Sequence, residues 1–126
     1  MFEHNWNGQE LTQKFSGDIT SAEIKQSFSQ IHADPRFGEL QFVILDFLDC
    51  TRIDNHEATI AEIAALNAAA ALINPSIKLA VITKDLDVLN FVKTYLSCNL
   101  NEYIVRIFDA VYKAKAWFFI FQPDQN

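Results

Sequence analysis

Apolar residues fall along this chain in two patterns. Residues 42–45, Phe-Val-Ile-Leu, form a continuous apolar run closed by Asp46, and residues 78–83 (KLAVIT) and 103–108 (YIVRIF) read similarly. Runs of this length suit strands buried on both faces of a parallel sheet. Between them the spacing becomes helical: Ile24, Phe28 and Ile31; then Ile60, Ile63, Leu66 and Ile73; then Val88, Phe91, Val92, Tyr95 and Leu96; then Ala110, Val111, Ala114, Trp117 and Phe118. Near the start, Phe2, His4 and Trp6 alternate, as do Leu11, Gln13 and Phe15, which is the period of strands.

Polar punctuation sets the boundaries. Asn7-Gly8 between the two alternating segments predicts a hairpin turn, because both residues accept positive φ. Ser16-Gly17-Asp18 reads as a second turn. Thr20-Ser21-Ala22-Glu23 is a capping box opening the first helix, which Asp34-Pro35 ends. Asp54-Asn55-His56-Glu57 has the same form, so Asp54 is expected to cap the second helix, an Ala-rich one stopped at Asn74-Pro75. Asp85 or Asp87 caps the third helix and Asp109 the fourth. The predicted order is ββαβαβαβα, an α/β domain with a mixed, mostly parallel sheet, an N-terminal hairpin and four helices. Residues 1–126 read as one domain, with 122–126 a frayed end.

Composition narrows the function classes. Ten basic residues are spread among sixteen acidic ones, for a net charge of -6. Nucleic-acid affinity comes largely from Lys and Arg on phosphates, so no nucleic-acid partner is expected. No segment approaches a membrane span or a signal peptide, and two cysteines, Cys50 and Cys98, make no disulfide framework. The expectation is a cytoplasmic protein with reduced thiols.

The most site-like feature is a cluster at the carboxyl end of the central strand, where ligands gather in α/β sheets. Asp46, Asp49, Cys50, Thr51, Asp54, Asn55, His56 and Glu57 are the candidates for binding a partner or ligand. The same residues have a structural reading, in which Asp54 and Glu57 cap a helix and Asp46 accepts hydrogen bonds from a loop. Asp46 as a receiver-type phosphoacceptor, with Thr83 and Lys84 downstream, lacks the acidic pair that would hold Mg²⁺. His4, His32 and His56 are scattered without metal-ligand spacing, so no metal is expected. Cys50 and His56 are close in sequence, but the expected role of the thiol is passive packing. With three glycines there is no phosphate-cradling or dinucleotide loop, no cofactor is expected, and no catalytic residue is assigned. Five large apolar residues run in succession from Trp117 to Phe121. Trp117 and Phe118 are expected in the core, with an extended segment following. Trp117, Phe119 and Phe121 are candidate contacts for a homodimer partner or an apolar ligand.

Four stretches in order carry a family resemblance: residues 15–20 (FSGDIT), residues 43–46 (VILD) through Ile53-Asp54, residues 79–82 (LAVI), and Arg106-Ile107-Phe108-Asp109 with residues 114–118 (AKAWF). Together they resemble the STAS domain superfamily and, within it, the SpoIIAA-like group, over nearly the whole chain. The group includes bacterial anti-anti-sigma factors, whose second helix begins with an Asp-Ser-Ser-Gly motif phosphorylated at its third residue by an anti-sigma kinase. Here His56 stands at the serine position and Glu57 at the glycine. The resemblance therefore implies a non-catalytic regulatory or protein-interaction domain without the phosphoserine switch. Thr51 and Thr59 are the hydroxyls nearby, outside the motif position. The partner would be another protein or a second copy, contacting residues 50–55 and the start of the second helix, and His56 would lend that contact a dependence on pH. A fold relationship of the group to CRAL-TRIO lipid carriers, with eleven Phe in the chain, implies the alternative of an apolar-ligand carrier. An enzyme using the Asp46 and Asp54 region ranks last.

Overall fold

The computed structural model describes residues 1–98, 100 and 103–120. Strands β1 (Phe2–Asn7) and β2 (Glu10–Ile19) form the expected antiparallel hairpin. Trp6 pairs with Leu11 and Asn7 with Glu10, so Asn7 closes the ladder and Gly8-Gln9 is the loop, one residue later than the sequence suggests. Gly8 sits at φ 61, in the left-handed region that a two-residue hairpin loop uses.

The turn expected at Ser16-Gly17-Asp18 does not form. Strand β3 (Phe42–Ile53) is long enough to keep pairing in parallel with β2 as far as Ile19↔Ile53. The register shifts between Lys14 and Ser16 and again between Gly17 and Asp18, with Gly17 at φ 72. The glycine therefore serves a bulged, twisted ladder rather than a reversal.

Strands β4 (Lys78–Ile82) and β5 (Ile104–Phe108) complete a sheet of order β1-β2-β3-β4-β5, parallel from β2 onward. Each crossover steps to the next strand in the same direction. Right-handed connections then place helices α1 (Ser21–Ala33), α2 (Glu57–Ile73) and α3 (Leu86–Ser97) on one face. That face holds the larger core, built on Leu11, Phe15, Val43, Leu45, Leu79 and Val81 from the sheet. Helix α4 (Val111–Ile120) follows the last strand and returns over the other face. There Ala114, Trp117 and Phe118 cover Phe42, Ile44, Ala80 and Ile82.

The N-terminus of α1 has the expected capping box: Thr20 accepts from the Glu23 N–H, and Glu23 from the Thr20 N–H. Helix α2 buries Ile60, Ile63, Ala64, Asn67, Ala70 and Ala71. Ile73, expected to add bulk to the core, is instead 76% exposed. Asn74 anchors the end of α2. Its Nδ2 donates to the Phe37 and Leu40 carbonyls, both at 2.8 Å, and its Oδ1 accepts from the Ser76 N–H at 3.1 Å. Phe37 and Leu40 belong to the 3₁₀ turn (Pro35–Glu39) and its C-cap, so one buried side chain ties the α1–β3 connection to α2.

Helix α4 remains helical through Ile120 rather than becoming extended after Phe118. It opens at Val111, and Asp109 pairs with Lys113 at 2.8 Å across its first turn. No helix among the described residues is long and apolar enough to cross a membrane.

Candidate functional site

The candidate residues lie where β3 runs on past β4. Asp46 pairs with Ile82, the last residue of β4, and from there to Ile53 the strand has only β2 beside it. This overhang carries Asp49 and Thr51 into solvent and delivers Asp54 to the helix layer.

The eight residues do not converge on one point. Asp46 shares the face of Ile44, which α4 partly covers, and its Oδ1 accepts from the Leu48 N–H at 3.0 Å, a bond within β3 rather than one from a loop as expected. Asp49 pairs with Lys14 at 3.1 Å. Thr51 donates to Asp18 Oδ1 at 2.9 Å. Cys50 packs against the core on the opposite, helical side, and its thiol donates to the Arg52 carbonyl at 3.3 Å. Burial first, and the negative charges of Asp85 and Asp18 after it, push the Cys50 thiol up. It stays protonated near neutrality, the wrong state for a nucleophile.

Asp54 caps, but not the helix its sequence pattern names. Its Oδ1 accepts from the Ser21 N–H at 2.8 Å, at the start of α1. Parallel pairing of β2 with β3 brings this about: the Asp54 N–H bonds the Ile19 carbonyl, setting the carboxylate over the next turn of chain. Burial works to raise the Asp54 carboxyl, but bonds from Ser21 and the His56 main chain outweigh it and hold the carboxyl below its ordinary range. With Thr20 and Asp54, two of the orphan donors of α1 are met from two directions.

His56 is the N-cap of α2. Its Nδ1 accepts from the Thr59 N–H at 3.3 Å and lies 2.7 Å from Thr59 Oγ1. The imidazole thus does the work a serine hydroxyl does at this position in other helices. Glu57 stands exposed in the first turn, where the helix dipole favours negative charge. The Asn55 side chain reaches the Asp87 carbonyl only at 3.5 Å, and α3 is capped by Asp85, at 2.7 Å from the Asp87 N–H. The result is an exposed acidic ledge of Asp54, Glu57, Asp85 and Asp87 across three adjoining helix starts.

Two depressions bear on ligand binding. An open one of about 390 Å³ lies beside the overhang, lined by Phe47, Leu48, Cys50, Lys84 and Asp85. The apolar interior between sheet and helices offers only about 30 Å³, against several hundred for ordinary small-molecule pockets. Among the described residues no three His, Cys, Asp or Glu side chains are placed to hold a metal ion. At the other candidate surface Trp117 is 5% exposed and packs on Phe118 and Phe108, while Phe119 is 60% exposed. Phe121 lies outside the described residues.

Sequence reasoning missed Asn67 and Asn74, the buried polar residues of the second helix and its end. Their signal was present, as amides within an otherwise apolar stretch.

The sheet order and the placement of the helices define an α/β fold with an antiparallel hairpin at one edge of a parallel sheet. Among solved structures, the anti-sigma factor antagonist SpoIIAA in its unphosphorylated form superimposes with a TM-score of 0.62. The match covers 97% of this chain and 100% of that one at 8% identity. An uncharacterized protein of the DUF3478 family with a SpoIIAA-like fold, from Shewanella loihica PV-4, matches with a TM-score of 0.52. It covers 93% and 91% of the two chains at 14% identity. At such identities the likeness is one of fold, and the fold is STAS/SpoIIAA-like. No protein-family model matches the chain, and no curated protein matches it.

Proposed function

We propose that this domain acts by binding another protein, without catalysis and without a phosphoserine switch. Its working surface is residues 50–55 and the start of α2, which share Asp54 and Glu57 with the acidic ledge. The observation that carries the reading is the N-cap of α2. In the resembling regulators that turn holds the modified serine, whereas here His56 fills it and bonds inward to Thr59. Asp54 is likewise committed to α1. The turn keeps its exposed position while lacking the hydroxyl that a kinase would modify. Thr51 and Thr59, already bonded to Asp18 and His56, are poor substitutes.

The test is a surface reversal. Asn55→Lys with Glu57→Lys changes only exposed side chains and should leave folding intact. In the native host, the reversed protein should lose a partner that the unaltered protein retains in native mass spectra. An identical partner set for both would refute the assignment of the surface. The apolar-carrier reading predicts instead an added mass that organic extraction removes. Support for it is confined to the exposed Phe119 and the Phe content, since the interior cavity has room for little more than a water.

A further inference from the structure

Asn67 lies on the buried face of α2, 2% exposed, in a helix whose other buried residues are Ile and Ala. Its Nδ2 donates to the Tyr95 hydroxyl of α3 at 2.9 Å. Its Oδ1 faces the His32 ring, a contact that favours the protonated imidazole, but accepts no bond of ordinary geometry, and the hydroxyl of Tyr103, which is 7% exposed, has no partner among the described residues. Both side chains line one small cavity of about 10 Å³, together with His32 of α1. The remaining walls are apolar: Phe28, Ile31, Phe37, Val43, Ile77 and Leu79.

A weakly met acceptor and an orphaned donor in one interior space are costly when left so. Three facts limit what can occupy the space. Its volume accommodates one water and nothing larger. Its polar groups are a neutral amide, a phenol and an imidazole, which gives no carboxylate for a cation. They come from separate elements, so a mobile bridging molecule meets their geometry more readily than a direct bond.

We infer that this cavity is a binding site for a single internal water joining α1, α2 and the residue that leads into β5. The water accepts from the Tyr103 hydroxyl and donates to Asn67 Oδ1, and its second hydrogen points to the His32 ring. Desolvation of His32 outweighs its contact with Asn67 and favours the neutral ring, whose other nitrogen is an acceptor. Internal waters commonly make about three such bonds. Through the Asn67–Tyr95 bond the node extends to α3, so one polar cluster touches all three helices of the larger core.

A crystal structure at atomic resolution tests the site directly. The expected result is a discrete solvent peak within hydrogen-bond distance of both Asn67 Oδ1 and the Tyr103 hydroxyl. An empty cavity, or a direct bond between these two side chains, would overturn the inference. An independent test is the cycle of Asn67→Leu and Tyr103→Phe, read as unfolding equilibrium constants. The Tyr95 bond, present in both chains with Asn67 and lost in both with Leu at 67, cancels within each comparison. Removing the Tyr103 hydroxyl should raise the unfolding constant roughly threefold or more in the Asn67 chain, and much less when Leu stands at 67. Equal effects in the two backgrounds would mean that no molecule is shared. Should the Asn67→Leu chain fail to fold, the crystallographic result decides alone.

Discussion

Replacing Asn74 by alanine should be among the more damaging single changes in this domain. The side chain is 4% exposed and makes three hydrogen bonds to the main chain, at 2.8, 2.8 and 3.1 Å. Each is worth about 1 kcal/mol net, and stranding a buried acceptor adds about 1–3 kcal/mol. The Phe37 carbonyl keeps a second donor, the Leu40 N–H at 3.2 Å, so the Leu40 carbonyl bears most of that penalty. The expected loss is therefore about 4–6 kcal/mol, or a fall in Tm on the order of 20 °C for a domain of this size. Asn74→Asp sharpens the test, because it keeps the shape and replaces the donor with a carboxylate facing two carbonyl oxygens. Its carboxyl should be raised in the folded state. The penalty should be smallest below the unfolded carboxyl range near pH 4 and grow as pH rises through the folded value. Urea unfolding at pH 7 and pH 3.5, with the slope m compared across variants, gives both numbers. A loss below about 0.5 kcal/mol for Asn74→Ala, or an Asn74→Asp variant no worse than Asn74→Ala at pH 7, would refute the reasoning.

Three further outcomes follow from particular contacts. Gln13 is fully buried with neither side-chain polar atom bonded, so Gln13→Met should stabilise the domain by about 1–2 kcal/mol; a lower urea midpoint would contradict this. Asp54→Ala should speed hydrogen exchange of the Ser21 amide in α1, and His56→Ala that of the Thr59 amide in α2. The reverse assignment would restore the capping scheme read from sequence. His4, beside Ser27 and in the field of Asp34, and His32, among Phe28, Phe37 and Asn67, are both held below the ordinary value of 6.5, chiefly by burial. The unfolded chain then binds more protons, so their contribution is intact above pH 6.5 and falls as pH drops below it. A second loss should come below about pH 4 as the lowered carboxyls of Glu23, Asp54 and Asp34, the last at about 2, take up protons. The variant His4→Gln with His32→Gln should abolish the first slope and leave the second.

Much of the fold was legible along the chain because its causes are local. A capping box needs only Thr20 and Glu23 within one turn, and Pro35 and Pro75 stop helices by their own rings. Continuous apolar runs marked β3 and β4 because strands covered on both faces have no polar side to show. The alternation of strand and helix then settled a parallel sheet, and the opening hairpin its antiparallel edge.

What the chain alone did not decide are relations between segments distant in sequence. Asp54 carries a local pattern for capping α2, yet its carboxylate bonds Ser21, because parallel pairing sets the end of β3 beside the start of α1. Ser16-Gly17-Asp18 reads as a turn, yet a neighbouring strand long enough to pair with it turns it into a bulge. The acidic cluster around Asp46 and Asp54 looks continuous in sequence. The register shifts and the period of two along a strand send Asp46 to the α4 face and Cys50 to the helical one. Helical spacing in α2 likewise admitted Ile73 to the core and overlooked Asn67, because a helix apolar all round does not declare its buried side. Composition and local pattern fixed which elements form; the packing of three helices on one face decided which side chains meet, since hydrogen bonds and burial depend on distance in space and not along the chain.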